Sequence, residues 1–120
     1  MIRYALDPET SILQLSPVAA LEQEDFIALA KIVDAHLGQS GRLKGVLVEI
    51  TDFPGWASFS ALVEHLRFVH DHHRRIGKIG IVTDALIGNV AEKLGSHFVA
   101  ADIRHFPAGE STAARQWLAS

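Results

Sequence analysis

The chain contains no cysteine, which excludes a disulfide framework, a thiolate metal site and a thiol nucleophile. It also lacks any apolar run approaching the roughly 18 residues that a membrane-spanning helix needs. The Met1 end passes straight into polar turn residues and does not read as a secretory leader. Positive charge is scarce: 11 Lys and Arg against 14 Asp and Glu give a formal net charge of −3. That balance excludes a dedicated nucleic-acid binder. A Gly-x-Ser-x-Gly elbow is missing. Gly77-Lys78-Ile79-Gly80 has neither Walker spacing nor a strand-before-helix setting, and Gly38-Gln39-Ser40-Gly41 reads as a helix stop.

What is present is 120 residues, 48% of them apolar and 21% charged. This composition predicts one soluble, cytoplasmic domain over residues 1–120. A chain of this length buries roughly two-thirds of its unfolded surface, so it builds a core without staples. The charge is unevenly spread. Residues 1–40 carry 2 Lys and Arg against 6 acids, whereas residues 41–80 carry 6 against 4.

Periodicity supplies the elements. Ile2–Leu6 and Ile12–Leu15 alternate apolar and polar around Asp7-Pro8-Glu9-Thr10-Ser11, a β-hairpin with a longer loop that Pro17 closes. Residues 22–37 repeat at three and four through Phe26, Leu29, Ile32/Val33 and His36/Leu37, an amphipathic helix with Gly38 as its stop. Val46–Ile50 is a strand buried on both faces. A second helix is expected from Ala57 to His73, capped by Ser58, with Phe59, Leu62, Val63, Leu66, Val69 and Ile76 as its core stripe. Lys78–Val82 is a strand, residues 86–94 a weaker helix containing Gly88, Asp102–Phe106 a last strand and residues 109–119 a closing helix. Strands alternating with helices predict an α/β fold: a mostly parallel five-stranded sheet with an N-terminal antiparallel hairpin strand and four helices.

Four stretches of this arrangement resemble the SpoIIAA-like family, small bacterial proteins of the STAS and CRAL-TRIO-like type. They are Leu21-Glu22-Gln23-Glu24-Asp25-Phe26, Glu49-Ile50-Thr51-Asp52-Phe53-Pro54-Gly55-Trp56, Lys78–Asp84, and Ile103–Phe106 followed by Ala113/Ala114 and Trp117-Leu118. The resemblance implies a STAS-like fold. It also implies either a regulatory protein-interaction module or a lipid-binding cavity of the CRAL-TRIO kind, by fold analogy. The family's phosphorylatable Asp-Ser-x-Gly turn has no counterpart in Phe53–Ser58, a departure that weighs against a phospho-switch.

Two regions are candidates for function. Phe53-Pro54-Gly55-Trp56 follows the C-terminal end of a central strand, where ligands of open α/β sheets bind. Phe53, Trp56 and Phe59 are therefore the expected lining of an apolar ligand site. The run from His65 to Lys78 holds four of the seven His and four Lys or Arg. A helical wheel built on the apolar stripe places Phe68 opposite it, beside Ala61, His65 and His72. His65, Phe68, His72 and Arg75 are thus the expected face for a partner, a second subunit or a membrane surface, with histidines that charge near about pH 6. The bland alternative is that these cations complement the helix dipole. No His pair in the run has the i, i+4 spacing of a metal site, and no metal or cofactor is expected. His97 and His105 read as satisfied core histidines. The expected function is a non-enzymatic binding module for an apolar or lipid-like ligand or a membrane surface. The rivals are a STAS-type interaction module and, more weakly, an enzyme.

Overall fold

The computed structural model describes residues 1–51, 55–84 and 100–120. Five strands, β1 (Ile2–Asp7), β2 (Ile12–Pro17), β3 (Leu43–Glu49), β4 (Ile76–Val82) and β5 (Asp102–Phe106), form one sheet in the order β1-β2-β3-β4-β5. β1 pairs antiparallel with β2, and every later pairing is parallel. Three helices among the described residues complete the α/β fold: α1 (Gln23–Ser40), α2 (Phe59–His72) and α3 (Ser111–Ala119), with a 3₁₀ turn at His73–Arg75. The helix expected over 86–94, including Gly88, lies outside the described residues, as does His97.

The two faces of the sheet follow from strand alternation. Val46 turns to the side of α1 and joins Leu13, Leu29, Val33, Leu37, Leu43 and Ile76 in one core. Leu47 turns the other way, to Val82, Phe106 and the α3 residues Ala114 and Leu118. The outcome is three layers, with α1 and α2 on one face and α3 on the other. Gly45 is what lets α3 settle so closely. A Cβ there would lie 2.8 Å from Leu118 Cδ2 and 3.2 Å from Leu118 Cβ.

α1 runs past Gly38 to Ser40 and stops at Gly41, which takes φ 78° and donates its amide to the Leu37 carbonyl. The reason is that a left-handed residue ends the helix, and Gly38 keeps helical geometry. α1 carries no basic residue in its last turn. Arg75 supplies the charge from the 3₁₀ turn, donating to the carbonyls of Leu37 and Gly41 at 3.0–3.1 Å. At the other end, the Glu22 amide donates to Asp25 Oδ2 at 2.8 Å, and the Met1 ammonium sits 3.0 Å from the same oxygen.

Candidate functional site

α2 and the loop before it carry most of the residues that the sequence singles out. Ser58 caps the helix, its Oγ accepting from the Ala61 amide at 3.1 Å. Just upstream, Gly55 takes φ 78°. Leu21 then binds the loop from both sides: its amide donates to the Gly55 carbonyl (2.8 Å) and its carbonyl accepts from the Ala57 amide (2.7 Å). The start of α2 is thereby tied to the start of α1.

The helix faces the protein differently from the wheel. Its inward side is Ala61, fully buried, with His65, Phe68 and His72 along the same line. Half of the expected core stripe is outside: Phe59 is 79% exposed, Leu66 61% and Val63 36%, whereas Leu62 and Val69 are half-buried and Ile76 is buried in β4 and not on the helix. The expectation that His65, Phe68 and His72 form an outer face is therefore corrected. The cause is hydrogen bonding combined with close packing on α1, which a hydrophobicity wheel does not register.

Each histidine on the seam has named partners. The Trp56 indole donates from Nε1 to His65 Nδ1 at 3.1 Å, and the Phe26 ring stacks on His65 with centroids 4.7 Å apart and planes 13° apart. Burial pushes the His65 imidazole below its ordinary value, favouring the neutral ring that can accept from Trp56. Two turns further on, His72 is buried. Its Nε2 lies 2.7 Å from Asp34 Oδ1, its Nδ1 lies 2.7 Å from the Phe68 carbonyl, and its ring stacks on Phe68 at 4.4 Å. Both neighbours are acceptors, so the ring makes both bonds only when both nitrogens carry protons. Phe26 meets His65 and Asp34 meets His72, so α1 and α2 run in the same direction. Asp34 escaped the sequence reading, although it continues the Phe26–Ala30 line of α1 at intervals of four.

The remaining candidates are dispersed. Trp56 clamps α2 and does not share a site with Phe59, which points to solvent at 79% exposure. Phe53 lies outside the described residues, together with Asp52 and Pro54. Arg75 caps α1 and does not belong to the α2 surface. His70 is exposed beside Asp71, and His73 Nδ1 accepts from the Ala100 amide at 2.8 Å. His105 contacts the Thr83 carbonyl at 2.6 Å through Nε2. Among the described residues, no group of three His, Asp or Glu is placed to hold a metal ion.

Two depressions mark the described surface. One, of about 290 Å³, follows the α1–α2 seam past Phe26, Asp34, Arg67, Phe68 and His72. The other, of about 500 Å³, lies where β3 and β4 begin and is lined by Ser11, Ser40, Arg42, Lys44 and Lys78. Its lysines are already engaged: Lys44 donates to the Ala119 carbonyl and Lys78 to the Trp117 carbonyl, closing the C-terminal end of α3. Beside it, His36 Nε2 meets Ser11 Oγ at 2.7 Å and Ser40 Oγ at 3.0 Å, and both hydroxyls also donate to the Arg42 carbonyl. This trio locks the hairpin to the end of α1. Trp56 lines neither depression.

Against known proteins, the SpoIIAA-like family profile matches residues 12–119. A similar solved structure is that of an uncharacterised protein of the DUF3478 family with a SpoIIAA-like fold, from Shewanella loihica PV-4. It superposes with a TM-score of 0.77 at 19% identity, covering 98% of this chain and 92% of that one. No curated protein matches the chain.

Proposed function

Because the chain belongs to the SpoIIAA-like family, whose fold supports a STAS-type module, we propose that it is a non-enzymatic binding module whose α2 docks on a lipid surface or apolar ligand. The observation that carries this reading is the outer ridge of α2. Phe59, Val63 and Leu66 recur at four and three along one exposed side. The ridge ends at exposed His70, with Arg67 and Arg74 nearby on the surface. An apolar ridge bordered by Arg74 and by Arg67, which also pairs with Glu64, suits the boundary between anionic headgroups and acyl chains. Burying a side chain such as Phe59 or Leu66 contributes about 1.5–3 kcal/mol. The docking face is therefore Phe59–Val63–Leu66, nearly half a turn of the helix from the His65–Phe68–His72 side that the sequence suggests.

Co-sedimentation with phosphatidylglycerol and phosphatidylcholine vesicles tests this. The expected result is preferential binding to the anionic vesicles, weakened at least tenfold by Phe59→Asp or Leu66→Asp. Absence of binding to either vesicle, with no lipid extracted from the purified protein, refutes it. A second reading, partner docking of the STAS kind, is favoured by Ser58, exposed at the N-terminus of α2. A phosphate there would meet the positive end of the helix dipole. Intact-mass analysis after exposure to a cognate kinase tests it, and unmodified Ser58 and Ser60 remove its phospho-switch form.

A further inference from the structure

β1 is an end strand of the sheet, hydrogen-bonded only to β2 among the described strands. The parity of its free edge can be read from two facts. The Val18 amide donates to the Met1 carbonyl at 3.0 Å, so Met1 and Val18 face each other as a bonded pair. Ile2 stands opposite Pro17, which has no N–H to offer. In an antiparallel ladder bonded and non-bonded positions alternate. Arg3, Ala5 and Asp7 therefore turn their main-chain groups towards β2, whereas Ile2, Tyr4 and Leu6 turn theirs outward.

Beyond the charges of Arg3 and Asp7 this edge has little protection. Its six residues contain no proline and no lysine, and β1 and β2 pair one-to-one from Ile2 to Asp7 without a bulge. Tyr4 is 52% exposed at its centre. We propose that β1 is the homodimer interface, pairing antiparallel with β1 of a second copy about a two-fold axis at Tyr4 and joining two five-stranded sheets into one.

The register follows from the same parity. An axis at Tyr4 sets Tyr4 against the partner's Tyr4 and Ile2 against the partner's Leu6. Tyr4 then exchanges both main-chain bonds with its opposite, while the Ile2 carbonyl accepts from the partner's Leu6 amide and the Ile2 amide stays with the Asp25 carboxylate of its own chain. Ile2, Tyr4 and Leu6 share one side of the strand, so the pairing also extends an apolar ladder across the junction. Charge complements it, because each strand carries Arg3 near its start and Asp7 at its end, with Glu9 beyond. Antiparallel docking lays each positive start beside the other copy's negative end. An axis at Arg3 would set two guanidinium groups against each other, and one at Ala5 would run Ile2 against the partner's Pro8. The Tyr4 axis stands perpendicular to the sheet, so both α1–α2 layers fall on the same side of the joined sheet.

The natural chain has no cysteine, so Tyr4→Cys introduces one thiol per subunit. Opposed residues of a bonded antiparallel pair have Cα atoms about 5.5 Å apart, within the disulfide range of about 4.4–6.8 Å. The unmodified protein is expected to sediment as a dimer at micromolar concentrations. Tyr4→Cys should oxidise to a covalent dimer, and Ala5→Cys much more slowly. Tyr4→Lys should weaken association at least tenfold while retaining the native circular dichroism spectrum, which separates loss of the interface from loss of folding. A monomer across the micromolar range overturns the proposal. So does a dimer that Tyr4→Lys leaves intact, or one that Ala5→Cys crosslinks faster than Tyr4→Cys. None of these outcomes depends on vesicle binding, so the interface and the docking face of α2 fail separately.

Discussion

The facing of α2 can be tested with two phenylalanines on one helix. Phe68 is partly buried, packs against the core beneath α1 and stacks on His72 with centroids 4.4 Å apart. Phe59, nine residues earlier, is 79% exposed. Removing a fully buried phenylalanine costs about 3–5 kcal/mol, and Phe68 is not fully buried. Its ring contact with His72 is worth about 0.5–1.5 kcal/mol of that. Phe68→Ala is therefore expected to cost about 2–3 kcal/mol, whereas Phe59→Ala should stay within about 0.5 kcal/mol of the parent. Urea unfolding followed by circular dichroism reads the difference as a shift in midpoint at unchanged slope, about 1 M or more for Phe68→Ala. A Phe59→Ala variant that loses as much stability as Phe68→Ala refutes the assignment. It would mean that the apolar stripe faces inward, and the lipid-docking ridge would fall with it.

Two further outcomes follow from local geometry. Burial holds His65 below its ordinary value of 6.5 in the folded chain. Below that pH the unfolded chain therefore binds the extra proton first, and stability should fall as pH drops from 6.5 to the lowered folded value, then level off. His65→Gln should flatten this part of a stability–pH profile; an unchanged slope would show that other groups cause it. Gly45→Ala pushes a methyl to 2.8 Å from Leu118 Cδ2 and should cost about 1–3 kcal/mol through overpacking. In the double variant with Leu118→Ala the new methyl occupies vacated space, so the two costs should sum to more than the measured one; simple additivity argues against the contact.

Much of the architecture was legible from the sequence because strand and helix periods differ. Val46–Ile50 and Asp102–Phe106 announced themselves by β-branched and alternating residues, and Ser58 by its place ahead of an apolar helix. Boundaries shifted where capping geometry decided, as at Gly41 in place of Gly38. The α2 surface was read the wrong way round for a specific reason. Phe59, Val63 and Leu66 outrank His65 and His72 in hydrophobicity, but the histidines find Trp56, Asp34 and the Phe68 carbonyl within 2.7–3.1 Å. A polar side chain with its bonds made can be buried where its transfer energy alone would forbid it. Such partners come from distant parts of the chain, and a helical wheel contains none of them.

The contrast between the two helices on that face has a consequence for how the molecule opens. α1 buries Phe26, Leu29, Val33, His36 and Leu37, but α2 fully buries only Ala61 and His72. Its attachment thus depends on directional bonds and stacked rings more than on aliphatic area, and such contacts break together when the helix lifts. α2 should therefore behave as its own cooperative unfolding unit, with a free-energy gap smaller than that of the sheet. In native-state hydrogen exchange its amides should lose protection as a set, at denaturant concentrations where those of β3, β4 and α1 remain locked.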